Sequence, residues 1–176
     1  MKKYILLSFL LFTGLGAFAQ KFAYVDTEYI LKHLPEYKAA INQLNTTSEQ
    51  FQKQLDVKFN EIDEMYKAYQ ADQVLLTDDM RKRRENEIIE KEKAAKEFQR
   101  QKFGPEGDLF QSRIKLLNPI QEKVSKTVAE FAKSKGLDFI FDRSSEATMM
   151  IYASTNYDLS KDIVIKLGYK PGTIEK

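Results

Sequence analysis

From Glu36 to about Leu76 the sequence contains neither glycine nor proline, and Gln, Glu, Lys, Leu and Ala dominate it. Residues of this kind favour a helix. Forty of them in a row make a rod of about 60 Å, at 1.5 Å rise per residue. Alternate steps of four and three residues trace one stripe along it. The stripe runs Tyr37, Ile41, Leu44, Ser48, Phe51, Leu55, Lys58, Ile62, Met65, Tyr69, Asp72 and Leu76, and nine of these twelve residues are apolar. A repeat sustained over more than five heptads predicts a coiled-coil seam rather than the face of an ordinary globular helix. Any fold for this chain must give that rod a partner.

The partner follows directly. Leu75-Leu76-Thr77-Asp78-Asp79 marks a break, with Thr77 or Asp78 a suitable N-cap. A second helix then begins with Arg81-Lys82-Arg83-Arg84 and continues to Lys102. Its apolar seam is poor: Ile88, Ala95 and Phe98 fit, and the positions between them are charged. Phe103-Gly104-Pro105-Glu106-Gly107 interrupts or kinks it, with Asp108 available as a new cap. Beyond the break the stripe resumes at Phe110, Ile114, Leu117, Gln121, Val124, Val128 and Phe131. A bend at Asn118-Pro119 is compatible with it, and Lys135-Gly136 forms the helix end. Two long helices joined by a short turn should fold back antiparallel.

The ends of the chain read differently. Phe22-Ala23-Tyr24-Val25-Asp26 is a β-prone run, and Thr27 to Leu31 opens a helical turn that ends before Pro35. Leu137 to Asp142 and Thr148 to Ala153 read as two further strands, and Asp158-Leu159-Ser160 caps a short helix that Gly168 closes. The predicted fold is α+β: a small β-strand body from residues 20–35 and 120–176, with residues 36–119 as a protruding antiparallel helical coiled-coil hairpin. A body of fewer than about 70–80 residues is marginal alone, and short strands leave open edges. Oligomerisation is the expected remedy. Phe22, Tyr24, Phe139, Phe141, Met150 and Tyr152 are the candidate subunit contacts.

Residues 1–19 stand apart. Lys2 and Lys3 precede an apolar run from Tyr4 to Phe18, and Ala17-Phe18-Ala19 offers small residues at the cleavage positions, so a cleavable signal peptide and an exported, soluble, bacterial chain are expected. The run is short for a membrane span of about 20 residues. The full sequence has 28 basic and 26 acidic side chains; without Lys2 and Lys3 the two balance at 26 each. A globally basic, nucleic-acid-binding chain is thereby excluded.

Catalytic parts are scarce. With no Cys there is no thiol nucleophile, iron–sulfur site or disulfide, and with one His, His33, there is no multi-histidine metal site in one chain. No nucleophile elbow accompanies His33. Gly104-Pro105-Glu106-Gly107 lacks the Lys-Ser/Thr of a phosphate loop. The chain reads as a binding protein with no cofactor and no metal. Two features could bind. Arg81, Lys82, Arg83 and Arg84 concentrate positive charge at the hairpin turn, suited to anionic lipid or an acidic client, or simply to a solvated helix start. Phe59, Tyr66, Val74, Leu75, Ile89 and Phe103 are apolar or aromatic yet lie off the seam, so they either pack within and between arms or form a client surface.

In its order of elements the chain resembles the Skp/OmpH family of periplasmic chaperones, over essentially its whole mature length. The residues that carry the resemblance are Phe22 to Asp26, the long charged hairpin, Gly136 to Asp142 and Tyr157 to Val164; the Phe103–Gly107 break is similar to the variant found in Bacteroidetes. The resemblance implies a homotrimer with a central β body and three tentacle-like arms. These would hold unfolded outer-membrane β-barrel proteins in a cavity, without ATP. The well-known members are strongly basic, whereas this mature chain is neutral. A coiled-coil scaffold or adaptor docking one folded envelope partner is the rival reading.

Overall fold

The structure, a computed structural model, describes residues 20–145 and 150–172. The expected signal peptide and residues Thr148 and Met149 of the third expected strand lie outside them. In chain order the elements are β1 (Phe22–Val25), α1 (Thr27–Lys32), α2 (Pro35–Asp72), a 3-10 turn (Gln73–Leu75), α3 (Asp78–Phe103), α4 (Asp108–Lys135), β2 (Phe139–Asp142), a second 3-10 turn (Thr155–Tyr157) and α5 (Ser160–Lys166). The chain is mostly helical, with a two-stranded parallel sheet and a long helix hairpin. The described residues divide into two compact units, residues 34–123 and residues 20–33 with 124–145 and 150–172.

In the first of these, α2 and α3 pack side by side. Pro35 occupies the first turn of α2, where its missing N–H costs nothing. All twelve positions of the predicted stripe are buried or half-buried, and between Tyr37 and Leu76 only Ala40 and Thr47 join them. Ile62, Ile88 and Ala95 form the hairpin's own core, with Met65 and Tyr69 against it. Ala95 is fully buried. Thr77 caps α3, accepting from the Met80 amide at 3.3 Å, as one of the two alternatives predicted.

α3 ends at Gly104, where space decides the residue: a Cβ there would stand 2.3 Å from the carbonyl oxygen of Arg100. The following cap differs from expectation. The Gly107 carbonyl accepts the first backbone bond of α4, from Gln111, so Gly107 takes the N-cap position. Asp108 is instead the first helical residue, and its carboxylate pairs with Lys102 across the break. α4 continues through Pro119. The carbonyl that the proline leaves unpaired is that of Lys115, an exposed residue that water can reach. The stripe on α4 is also displaced: Leu117, Ile120 and Val124 are buried, while Phe110, Ile114 and Gln121 are exposed.

In the other unit β1 and β2 pair in parallel with Phe22 opposite Phe139 and Tyr24 opposite Phe141. The far edge of β1 is occupied by a bridge to Asp158, closed by the Leu159 amide donating to the Tyr24 carbonyl at 2.9 Å. Met150 to Ala153, expected as part of a third strand, run instead as irregular backbone. Ala23, Val25, Ile30, Ile163 and Val164 make the core. α4 ends in a Schellman motif at Gly136, whose φ of 61° suits glycine, with Leu137 N–H bonded to the Ala132 carbonyl. The helix α5 ends in the same way at Gly168.

Side-chain hydrogen bonds join the sheet to its neighbours. Asp26 caps α1 and its amide donates to Ser160 Oγ at 2.8 Å. Asp142 accepts from the Thr27 hydroxyl at 2.6 Å, and from the amides of Thr27 and Ser144. Partial burial pushes the Asp142 carboxyl up, but these donors together outweigh it and hold it below the usual aspartate value.

Candidate binding surface

The weak apolar seam of α3 is completed by polar contacts to the aromatic residues of α2. Tyr69 Oη donates to Glu85 at 2.5 Å and Tyr66 Oη to Glu92 at 3.1 Å. Lys58 lies 5.2 Å from the Phe98 ring centroid, and Lys102 lies over both Phe51 and Phe98. Hydrogen bonding to the neighbouring glutamates raises both phenol pKa values, because it favours the protonated donor. The charged positions that interrupt the α3 pattern are therefore partners, not gaps.

The structure places the apolar residues outside the seam unevenly. The Tyr66–Glu92 bond defines one flank of the hairpin, and the Glu61–Lys91 ion pair at 2.5 Å defines the other. Phe59 lies seven residues before Tyr66, hence on the same face of α2, and Ile89 lies one turn before Glu92. Phe59, Tyr66 and Ile89 thus fall along one flank, Phe59 42% and Ile89 44% exposed. At the turn, Val74 is 90% and Leu75 80% exposed, with Met80 beside them in sequence and also exposed. Phe103 differs from the rest. Its ring is half-buried and meets Phe51 edge-on at 6.2 Å, inside the hairpin. Val57, exposed on α2, was not singled out from the sequence, although its place off the stripe was a usable signal.

The cationic run is also divided. Arg81 is half-buried and pairs with Asp78 at 3.0 Å, and its Nε is buried without a hydrogen-bond partner. Lys82, Arg83 and Arg84 are exposed and form no ion pair among the described residues. Of the residues expected at a subunit contact, Phe22, Phe139, Phe141 and Tyr152 are exposed and Met150 is half-buried. Tyr24 is 2% exposed and belongs to the core of its own unit, its hydroxyl lacking a hydrogen-bond partner among the described residues. Phe22 also stacks on Tyr157, with ring centroids 5.4 Å apart. Among the described residues no helix is long and apolar enough to cross a membrane.

Comparison with known proteins accords with this arrangement. The chain is similar in structure to a Caulobacter crescentus protein described as an OmpH-like outer membrane chaperone, with a TM-score of 0.66 and 16% sequence identity over 92% of each chain. At that identity the likeness shows the fold alone. No curated protein sequence matches the chain. The family model described as outer membrane protein (OmpH-like) matches residues 21–167, nearly the whole of the described chain, and the protein therefore belongs to the OmpH-like family.

Proposed function

We propose that this protein is an exported, ATP-independent periplasmic holdase that binds unfolded outer-membrane β-barrel proteins and prevents their aggregation. The observation that carries the reading is the flank of Phe59, Tyr66 and Ile89, apolar and aromatic surface left in water on a hairpin whose seam is already satisfied. Exposed apolar surface of this kind marks an interaction site. Barrel strands alternate apolar and polar residues, so a client is best met by an extended, adaptable surface rather than by a fixed pocket. No catalytic residue is required.

The assembly in this proposal is a homotrimer. Residues 20–35 and 120–176 supply the oligomerisation body and residues 36–119 the arms that enclose the client. Phe22, Phe139, Phe141, Met150 and Tyr152 meet neighbouring subunits, and Tyr24 supports them from inside. Membership of the OmpH-like family and the exposure of Phe22, Phe139 and Phe141 on one sheet face support this. Val74 and Leu75 belong to the client surface, and the basic run from Arg81 to Arg84 is the part of the arm that contacts anionic lipid. Because acidic and basic side chains balance in the mature chain, client capture rests on apolar contact more than on charge.

The test is suppression of aggregation when a urea-unfolded porin is diluted into the mature protein at several salt concentrations. Protection that persists from low to moderate salt, and that is lost in a Phe59→Ser, Tyr66→Ser, Ile89→Ser variant of unchanged helicity, is the expected result. Protection that collapses on adding moderate salt would overturn the apolar basis of capture.

A further inference from the structure

At the Gly104–Gly107 break, between α2 and the start of α4, lies an open groove of about 450 Å³, within the size range of small-molecule sites. Its floor is apolar: Leu44, Phe103, Leu109 and Phe110, with Ile41 beside them. Three polar side chains line the same space, Asn45, Ser48 and Arg113. None of the three forms a side-chain hydrogen bond or ion pair among the described residues, whereas the neighbouring Thr46 and Thr47 hydroxyls bond back to the helix carbonyls of Asn42 and Gln43.

Ser48 makes the groove more than a gap. It occupies a position of the coiled-coil stripe where leucine or isoleucine would project into the space and fill it. One of the three residues that break the apolar stripe of α2 thus lines the groove beside the α3–α4 break, and the solvent-exposed Arg113 of α4, which forms no ion pair among the described residues, lines it too. An apolar floor with one free cation and two uncharged hydrogen-bonding groups is complementary to a molecule with an aliphatic body and a single carboxylate. The planar guanidinium matches a carboxylate with two parallel N–H donors. We propose that this groove binds a small monocarboxylate amphiphile, with its head on Arg113 and its tail against Leu44, Phe103 and Leu109.

The site is independent of the client surface and is tested apart from it. Sodium decanoate, below its micellar concentration, is titrated into the full mature protein by isothermal calorimetry, with decyltrimethylammonium as a probe of equal tail and opposite charge. Saturable binding of one decanoate per chain is expected, at least tenfold tighter than the cation. Arg113→Gln should weaken decanoate by tenfold or more and remove the preference for its charge. Ser48→Leu should abolish binding while raising the thermal midpoint by filling the groove. Equal binding of both probes, unaffected by either substitution, would identify general apolar adsorption and overturn the site. So would a stabilising Ser48→Leu in a protein that takes up no decanoate, since the groove would then be a packing gap or covered by a second copy.

Discussion

Replacing Ile62 and replacing Phe59 should have opposite kinds of consequence, although the two are three residues apart on one helix. Ile62 is buried against Ile88 and Ala95. Ile62→Ala removes three buried carbons at about 0.8 kcal/mol each, or about 2.4 kcal/mol of transfer free energy. The void left between two helices that cannot fully collapse brings the cost to about 3 kcal/mol. With a urea m value of about 2 kcal/mol/M, the unfolding midpoint should fall by about 1.5 M. Phe59 lies on the flank with 42% of its surface in water and leaves no enclosed void when truncated, so Phe59→Ala should cost less than Ile62→Ala, about 1–2 kcal/mol. Urea unfolding by far-UV circular dichroism gives both numbers, and hydrogen exchange locates the Ile62 loss in α2 and α3. Porin aggregation, measured where both variants are folded, should be suppressed normally by Ile62→Ala and poorly by Phe59→Ala. Equal stability losses, or a folded Ile62→Ala protein that fails to protect while Phe59→Ala protects, would refute the separation of seam from binding flank.

Three further outcomes follow from local geometry. Gly104→Ala should destabilise by about 2 kcal/mol or more in thermal or urea melts, because its Cβ meets the Arg100 carbonyl; an unstrained glycine-to-alanine change would instead stabilise. Asp142→Asn should lower stability at neutral pH. The native carboxyl is held below its unfolded value near 4, so its contribution is fully present above that value and fades as pH falls through the depressed native one. The difference between wild type and variant should therefore be flat above about pH 5 and shrink below pH 4. Phe139→Glu with Phe141→Glu, at exposed positions of β2, should leave circular dichroism unchanged and lower the molar mass of the assembly. An unchanged mass would remove these residues from the subunit contact.

The hairpin was legible because its information is periodic. The stripe located every sheltered position on α2 but Glu36, Ala40 and Thr47, and it included Lys58, whose ammonium lies over the Phe98 ring. The matching face of α3 was not legible. Hydropathy counts Glu85, Glu92 and Lys102 as solvated, and only the register of the two helices reveals the tyrosine and phenylalanine partners that hold them. The same blindness hid the shared flank of Phe59, Tyr66 and Ile89 and the inward position of Phe103. Met150 to Ala153 have the composition of a strand, but composition does not supply a pairing partner, and they run as irregular backbone. Tyr24 reads from the sequence as a candidate subunit contact, and nothing in the sequence signals that its own unit buries it.

The most direct measurement of the central claim is molar mass by light scattering after size exclusion, with and without a urea-unfolded porin diluted into the mature protein. The account predicts a trimer that carries the porin into a soluble complex of defined mass. A monomer or dimer beside a precipitated porin would contradict it, and would point instead to a scaffold for one folded envelope partner.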